Sequence, residues 1–190
     1  MNDTKVRILA AGAELFRRNG YTGTGLKQIA STARAPFGSI YHFFPGGKQE
    51  LGDAVIRSSG ESYADLVFSI VDGHPDIIEA IEVAFTMAAD SLVATDYADA
   101  CPIATIALEV ASTNEVLRVA TADVFTDWIE RGTRNFQTKG LHEAEARQLT
   151  LTLITSLEGA FVLARAMRST EPLLAAGRAV RTAARSMLEW

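Results

Sequence analysis

The chain has 190 residues, 48% of them hydrophobic and 22% charged, which is enough for one sizeable core or for a small head on a larger body. Its single cysteine, Cys101, excludes an internal disulfide framework, and no uninterrupted apolar run approaches the roughly 20 residues that span a bilayer. The net charge of −5 is unevenly spread: residues 1–57 hold eight basic and four acidic side chains, net +4, and the remainder carries −9, so one end alone suits phosphates.

Residues 4–19 place Val6, Ile8, Leu9, Ala13, Leu15 and Phe16 on an amphipathic helix that Gly20 closes. This polar start leaves no signal peptide to expect, and the chain reads as cytoplasmic. Leu26, Ile29, Ala30 and Ala33 share one stripe of a second helix, 26–33, with Thr24 placed to cap it. Pro36 presets φ for the first turn of a third helix, 37–44, in which Ile40 and Phe44 face inward. Phe37, Ser39, Tyr41 and His42 then point outward, an edge that suits the major groove of DNA. Pro45, Gly46 and Gly47 end that helix, and Lys48 opens a long one towards residue 71, weakened locally at Gly52 and Gly60.

Residues 72–76 are a breaker with a new helix start. Helices are expected over 77–94 and, after an Asp- and Ala-rich loop, over 103–111. Thr113 or Asn114 caps the next, which Gly140 stops; 143–168 and a last helix from Pro172 complete the chain. No segment alternates with period two, so the fold class is all-α with about nine helices. In the penultimate helix Leu149, Leu153, Ser156, Gly159, Ala160, Leu163 and Met167 form one face, and further apolar residues cover another. The last helix adds Ala176, Val180, Ala183 and Met187. A helix apolar all round is covered on both sides, either by the rest of the body or by symmetry mates in a four-helix bundle.

Leu15-Phe16, Gly20-Tyr21, Thr24, Ile29-Ala30, Gly38-Ser39-Ile40-Tyr41-His42-Phe43-Phe44, Lys48 and Leu51 together resemble the TetR-type transcriptional regulators over about residues 4–58. The Phe44-Pro45-Gly46-Gly47-Lys48 ending, Leu157-Glu158-Gly159-Ala160 and Ala164-Arg165-Ala166 are similar to the LmrA-type multidrug-resistance repressors within that family. The resemblance implies a three-helix helix-turn-helix DNA-binding domain at 1–50 and an effector-binding and dimerisation domain at 51–190. It implies a homodimeric repressor on an inverted-repeat operator in double-stranded DNA, released by a small, largely apolar effector. DNA contact falls by resemblance to Thr24, Lys27, Pro36, Phe37, Ser39, Tyr41, His42 and Lys48. Lys27 and Lys48 suit phosphates, Thr24 and Tyr41 phosphate oxygens, Ser39 a base edge and Phe37 a thymine methyl. The implied pocket is assigned to Phe68, Phe85, Met87, Ile103, Leu108, Phe125, Trp128, Ile129 and Phe161, with Glu158 as polar contact; aromatic and Met residues at helical spacing serve equally as plain core. Glu158 in an apolar helix needs a partner, Arg165 or a ligand. Two positions depart from the family pattern: Arg34 replaces a turn glycine and Phe37 a polar or basic residue.

His42, His74 and His142 lie on separate elements, and there is no nucleophile elbow, metal-ligand pair or phosphate loop. No enzymatic activity, catalytic residue, metal or cofactor is expected. Cys101 reads as an inert thiol, and Arg178, Arg181 and Arg185 as a solvated face. A helical small-molecule-binding protein without DNA activity is the alternative that Arg34 and Phe37 leave open.

Overall fold

The computed structural model describes residues 3–188. Among them are nine α-helices and no strand: α1 (Asp3–Asn19), α2 (Leu26–Thr32), α3 (Phe37–Phe43), α4 (Gly47–Asp72), α5 (Ile77–Ala94), α6 (Pro102–Val110), α7 (Glu115–Thr138), α8 (Glu143–Met167) and α9 (Glu171–Leu188). Two compact units emerge: unit 1 is Met1–Ser62 with Cys101–Val124, and unit 2 is Tyr63–Ala100 with Phe125–Trp190. The expected break at residue 50 does not match this division, which falls inside α4 and α7 and gives α6 to the first unit.

In unit 1, α1 turns Ile8, Ala11, Gly12, Leu15 and Phe16 inward against α2 and α3, whose buried residues are Ile29, Ala30 and Ile40. Leu51, Val55 and Ile56 of α4 and Ile103 and Ile106 of α6 extend this core. Several helix starts follow the sequence. Asp76 caps α5 by accepting from the Ile78 and Glu79 N–H groups at 2.7 and 2.9 Å, and Asn114 caps α7 through Leu117 N–H at 3.2 Å. Thr24 caps nothing; Gly25 occupies that position without a side-chain bond.

The helix ends hold a regularity that glycine does not announce. After α2 the N–H of Ala35 donates to Ala30 O and that of Arg34 to Ser31 O, both at 3.0 Å. The same paired bonds close α5 (Tyr97 to Leu92, Asp96 to Val93), α7 (Leu141 to Phe136, Gly140 to Gln137) and α8 (Ser169 to Ala164, Arg168 to Arg165). This is the Schellman closure, which wants a left-handed residue just past the helix. Gly140 fills that place after α7, but Arg34, Asp96 and Arg168 fill the others at φ 49°, 51° and 49°.

The core of unit 2 is continuous: Ile77, Ile81, Phe85, Ala89 and Leu92 of α5 pack with Leu149, Leu157, Ala160, Phe161 and Ala164 of α8 and with Leu173, Val180 and Ala184 of α9. By length and composition α8 alone among the described helices is long and apolar enough to cross a membrane, against the sequence expectation; the same properties fit a core helix, and α8 packs along α9.

Candidate nucleic-acid interface and ligand cavity

α3 is seven residues long, and its one fully buried side chain, Ile40, anchors it to the core together with Phe44 just beyond. Everything else on the helix is then directed by the 3.6-residue period. Phe37 is 42% and Tyr41 50% exposed, their rings meeting edge to face at 5.7 Å, one turn apart. His42 is exposed, Ser39 half-exposed, and Pro36 and Lys27 stand exposed at the start of α3 and on α2. Seven of the eight nominated contact residues therefore retain solvent access in one unit, Lys48, like Ser39, only in part. Its ammonium lies 4.4 Å from the centre of the Tyr21 ring, and burial lowers its pKa from the usual lysine value, with Glu109 acting in the opposite sense.

The exception is Thr24. It is fully buried, and its hydroxyl lies 2.8 Å from Gly20 O and 3.2 Å from Leu15 O, at the carbonyl end of α1. A hydroxyl spent on satisfying a helix C-terminus is not available to a phosphate. Thr24 is a positioning residue for the loop that leads into α2.

A second holder of this loop escaped the sequence. Glu109, near the end of α6, accepts from Tyr21 N–H at 3.0 Å and Thr22 N–H at 2.8 Å. Burial also pushes the Tyr21 phenol pKa up. A separation of 87 residues leaves no local pattern from which this carboxylate clamp is readable.

Within unit 2 a partly open cavity of about 70 Å³ lies between α4, α7 and α8. α4 contributes Tyr63, Ala64, Val67, Phe68 and Val71; α7 contributes Trp128, Gly132, Asn135 and Phe136; α8 contributes Thr150, Leu153, Ile154, Leu157 and Glu158. Tyr63 and Trp128 pack with ring centres 5.4 Å apart, and the Arg131 guanidinium sits 4.7 Å from the Phe68 ring while bonding Asp65 at 2.8 Å. α7 and α8 approach closely here: a Cβ added to Gly132 would lie 2.5 Å from Thr150 Cγ2.

Of the ten nominated pocket residues, Phe68, Trp128 and Glu158 line this cavity. Phe85 and Phe161 are instead core of unit 2, and Ile103 is core of unit 1. Leu108, 81% exposed on α6, and Met87 on α5 face solvent, while Phe125 and Ile129 are half-exposed on α7 outside the cavity wall. Helical spacing marks all of these as apolar positions and does not say which of them border a void. Arg165, expected as the partner of Glu158, turns to the carbonyls of Tyr97 at 3.3 Å and Ala98 at 3.2 Å.

The nominated dimer face divides in the same way. Leu149, Ala160 and Val180 are buried in the protomer's own core, Leu153 lines the cavity, and Ala176 and Met187 pack against the core half-buried. Ser156 and Ala183 are half-exposed, and Gly159, Leu163 and Met167 are open to solvent, next to Val162 on α8 and Leu174 on α9. Of the nominated face, Gly159, Leu163 and Met167 are thus the residues left open on the protomer. On the last helix Arg178 and Arg185 are exposed as expected of a solvated stripe, whereas Arg181, 22% exposed, is largely covered and pairs with Glu82 at 2.9 Å.

A short helix anchored by one buried isoleucine, preceded by a tight turn and a second short helix, on a body with its own apolar cavity, defines a helix-turn-helix transcriptional regulator. The chain belongs to the TetR family: the bacterial regulatory proteins, tetR family, match residues 8–55, and the C-terminal domain of LmrA/YxaF-like transcriptional regulators matches residues 77–179. It is 33% identical over 172 residues to the HTH-type transcriptional regulator YxaF of Bacillus subtilis, covering 90% of each chain. To the regulator LmrA of the same organism it is 27% identical over 172 residues, covering 90% of this chain and 92% of that one. The fold is shared with the regulatory protein TetR from Rhodobacter sphaeroides, TM-score 0.81 at 24% identity, over 94% of this chain and 97% of the other. Fold and relatives are those of transcriptional regulators, not of enzymes.

Proposed function

We propose that this regulator is a cytoplasmic homodimeric repressor that grips an inverted-repeat operator with α3 of each protomer and releases it when a small, largely apolar effector enters the cavity of unit 2. The outward edge of α3 carries the reading: Phe37, Tyr41 and His42 are exposed on a helix that Ile40 holds in place. Phe37 suits a thymine methyl, Ser39 a base edge, and Tyr41 and Lys27 the phosphates on either side. Two copies related by a twofold axis place their α3 helices about one duplex turn apart, hence the inverted repeat. Gly159, Val162, Leu163 and Met167 of α8, with Leu174 of α9, supply an exposed apolar strip for that pairing.

Gel shifts of the purified protein on the DNA upstream of its own gene test this reading. Affinity falls steeply between about 50 and 200 mM salt if several phosphates are neutralised. A flat response, or no preference over unrelated DNA, leaves only the ligand-binding alternative.

A further inference from the structure

We propose that Glu109, on α6 and outside the helix-turn-helix, is a positioning residue for DNA binding: it holds Tyr21, and Tyr21 holds the Lys48 ammonium where a phosphate meets it. The inference rests on the proposed operator binding and adds a residue that lies far from α3 in the chain. Every contact in it falls within unit 1. Both carboxylate oxygens of Glu109 are engaged, Oε1 accepting from Tyr21 N–H at 3.0 Å and Oε2 from Thr22 N–H at 2.8 Å, which fixes the loop backbone. The loop is shaped for this carboxylate: Gly20 sits at φ 74°, and a Cβ there would collide with it. So anchored, the Tyr21 ring packs on Phe16 with centres 5.4 Å apart and lies against α4 at Gly52, where an added Cβ would come 2.9 Å from Tyr21 Cε2. Lys48 stands one turn before Gly52 on the same face of α4, and its ammonium rests 4.4 Å from the centre of that ring. A lysine on its flexible stem has little direction of its own, and here the ring supplies it. Glu109 also opposes the lowering of the Lys48 pKa by burial, which favours the charged form that a phosphate needs. The sign of the effect separates this role from plain repulsion. A carboxylate near a phosphate-binding lysine repels DNA, so on charge alone its removal raises affinity, whereas on the positioning role its removal lowers affinity.

Gel shifts on the DNA upstream of the gene, with thermal melts alongside, compare the unaltered protein with Glu109→Ala, Glu109→Asp, Lys48→Ala and the double variant Glu109→Ala/Lys48→Ala. Aspartate keeps the charge but is one methylene too short to reach both N–H groups, so it reports on position alone and serves if the alanine variant melts early. Glu109→Ala and Glu109→Asp are each expected to weaken operator affinity about three- to tenfold and to flatten the salt dependence by about one phosphate. Lys48→Ala should do the same, and the double variant should bind no more weakly than Lys48→Ala alone. Unchanged or higher affinity on losing the carboxylate, or a loss of the same size with Lys48 already gone, overturns the positioning role and leaves operator binding standing. Failure of the unaltered protein to select its upstream DNA overturns the operator reading and this proposal with it.

Discussion

In unit 1 the loop between α1 and α2 is tied from two sides, by the buried Thr24 hydroxyl on the α1 carbonyls and by the Glu109 carboxylate on the Tyr21 and Thr22 N–H groups. In unit 2 Tyr63, Phe68, Trp128 and Leu153 border a cavity that their neighbours do not fill. On the proposed function, the contrast follows from what each region does. A surface that reads base edges works only if its side chains stay close to one arrangement, and the two ties on the loop ahead of α2 favour that. A region that admits a small molecule keeps volume in reserve.

Large-to-small substitutions test that contrast most directly. Ile40 is fully buried and is the side chain that seats α3, so Ile40→Ala should cost about 2–4 kcal/mol in urea unfolding. Leu153 is half-buried at the cavity wall, where part of its surface already meets empty space, so Leu153→Ala should cost about half as much or less. Equal costs would mean that the cavity wall is packed as tightly as the head, and the comparison would fail.

Filling rather than emptying gives the next effect. Gly132→Ala places a methyl 2.5 Å from Thr150 Cγ2 at the point where α7 meets α8, and overpacking of this kind costs about 1–3 kcal/mol. Thr150→Ala removes the opposing methyl, so the double variant should recover much of the loss; thermal melts of the two singles and the double measure the coupling. Additive losses would show that the glycine serves the helix backbone and not the close approach.

The same contrast sets what the sequence could disclose. The nine helices were legible because their stripes repeat locally, and the α3 edge was legible because two inward residues on a two-turn helix leave the others no choice. Thr24 was misread because its hydroxyl finds carbonyls at the end of α1 that only the folded chain brings near. Glu109 was invisible for the same reason at longer range. In the body, Phe85, Phe161 and Trp128 share the same apolar periodicity, yet only Trp128 borders the cavity, because a void is a property of three helices together. Of the nominated dimer residues, Leu149, Ala160 and Val180 are covered by the protomer's own core while Leu163 and Met167 stay open, since all are equally apolar and only packing separates covered from open.

The smallest effect concerns Arg34, whose place in the turn the sequence flagged and the backbone explains. The Schellman bonds after α2 require a left-handed residue, and Arg34 sits there at φ 49°. A side chain with a Cβ pays about 1–2 kcal/mol in that region, and glycine gives part of this back through its freer unfolded state. Arg34→Gly should therefore raise stability by about 0.5–1 kcal/mol. Arg34→Ala keeps the Cβ and should show no such gain, which separates the backbone effect from loss of the exposed cation. Both variants lose the charge equally, so if Arg34 also meets a phosphate, their operator affinities fall together and the salt dependence flattens by the same step. A gain in both, or in neither, would show that the turn between α2 and α3 is not held in the left-handed form that seats α3.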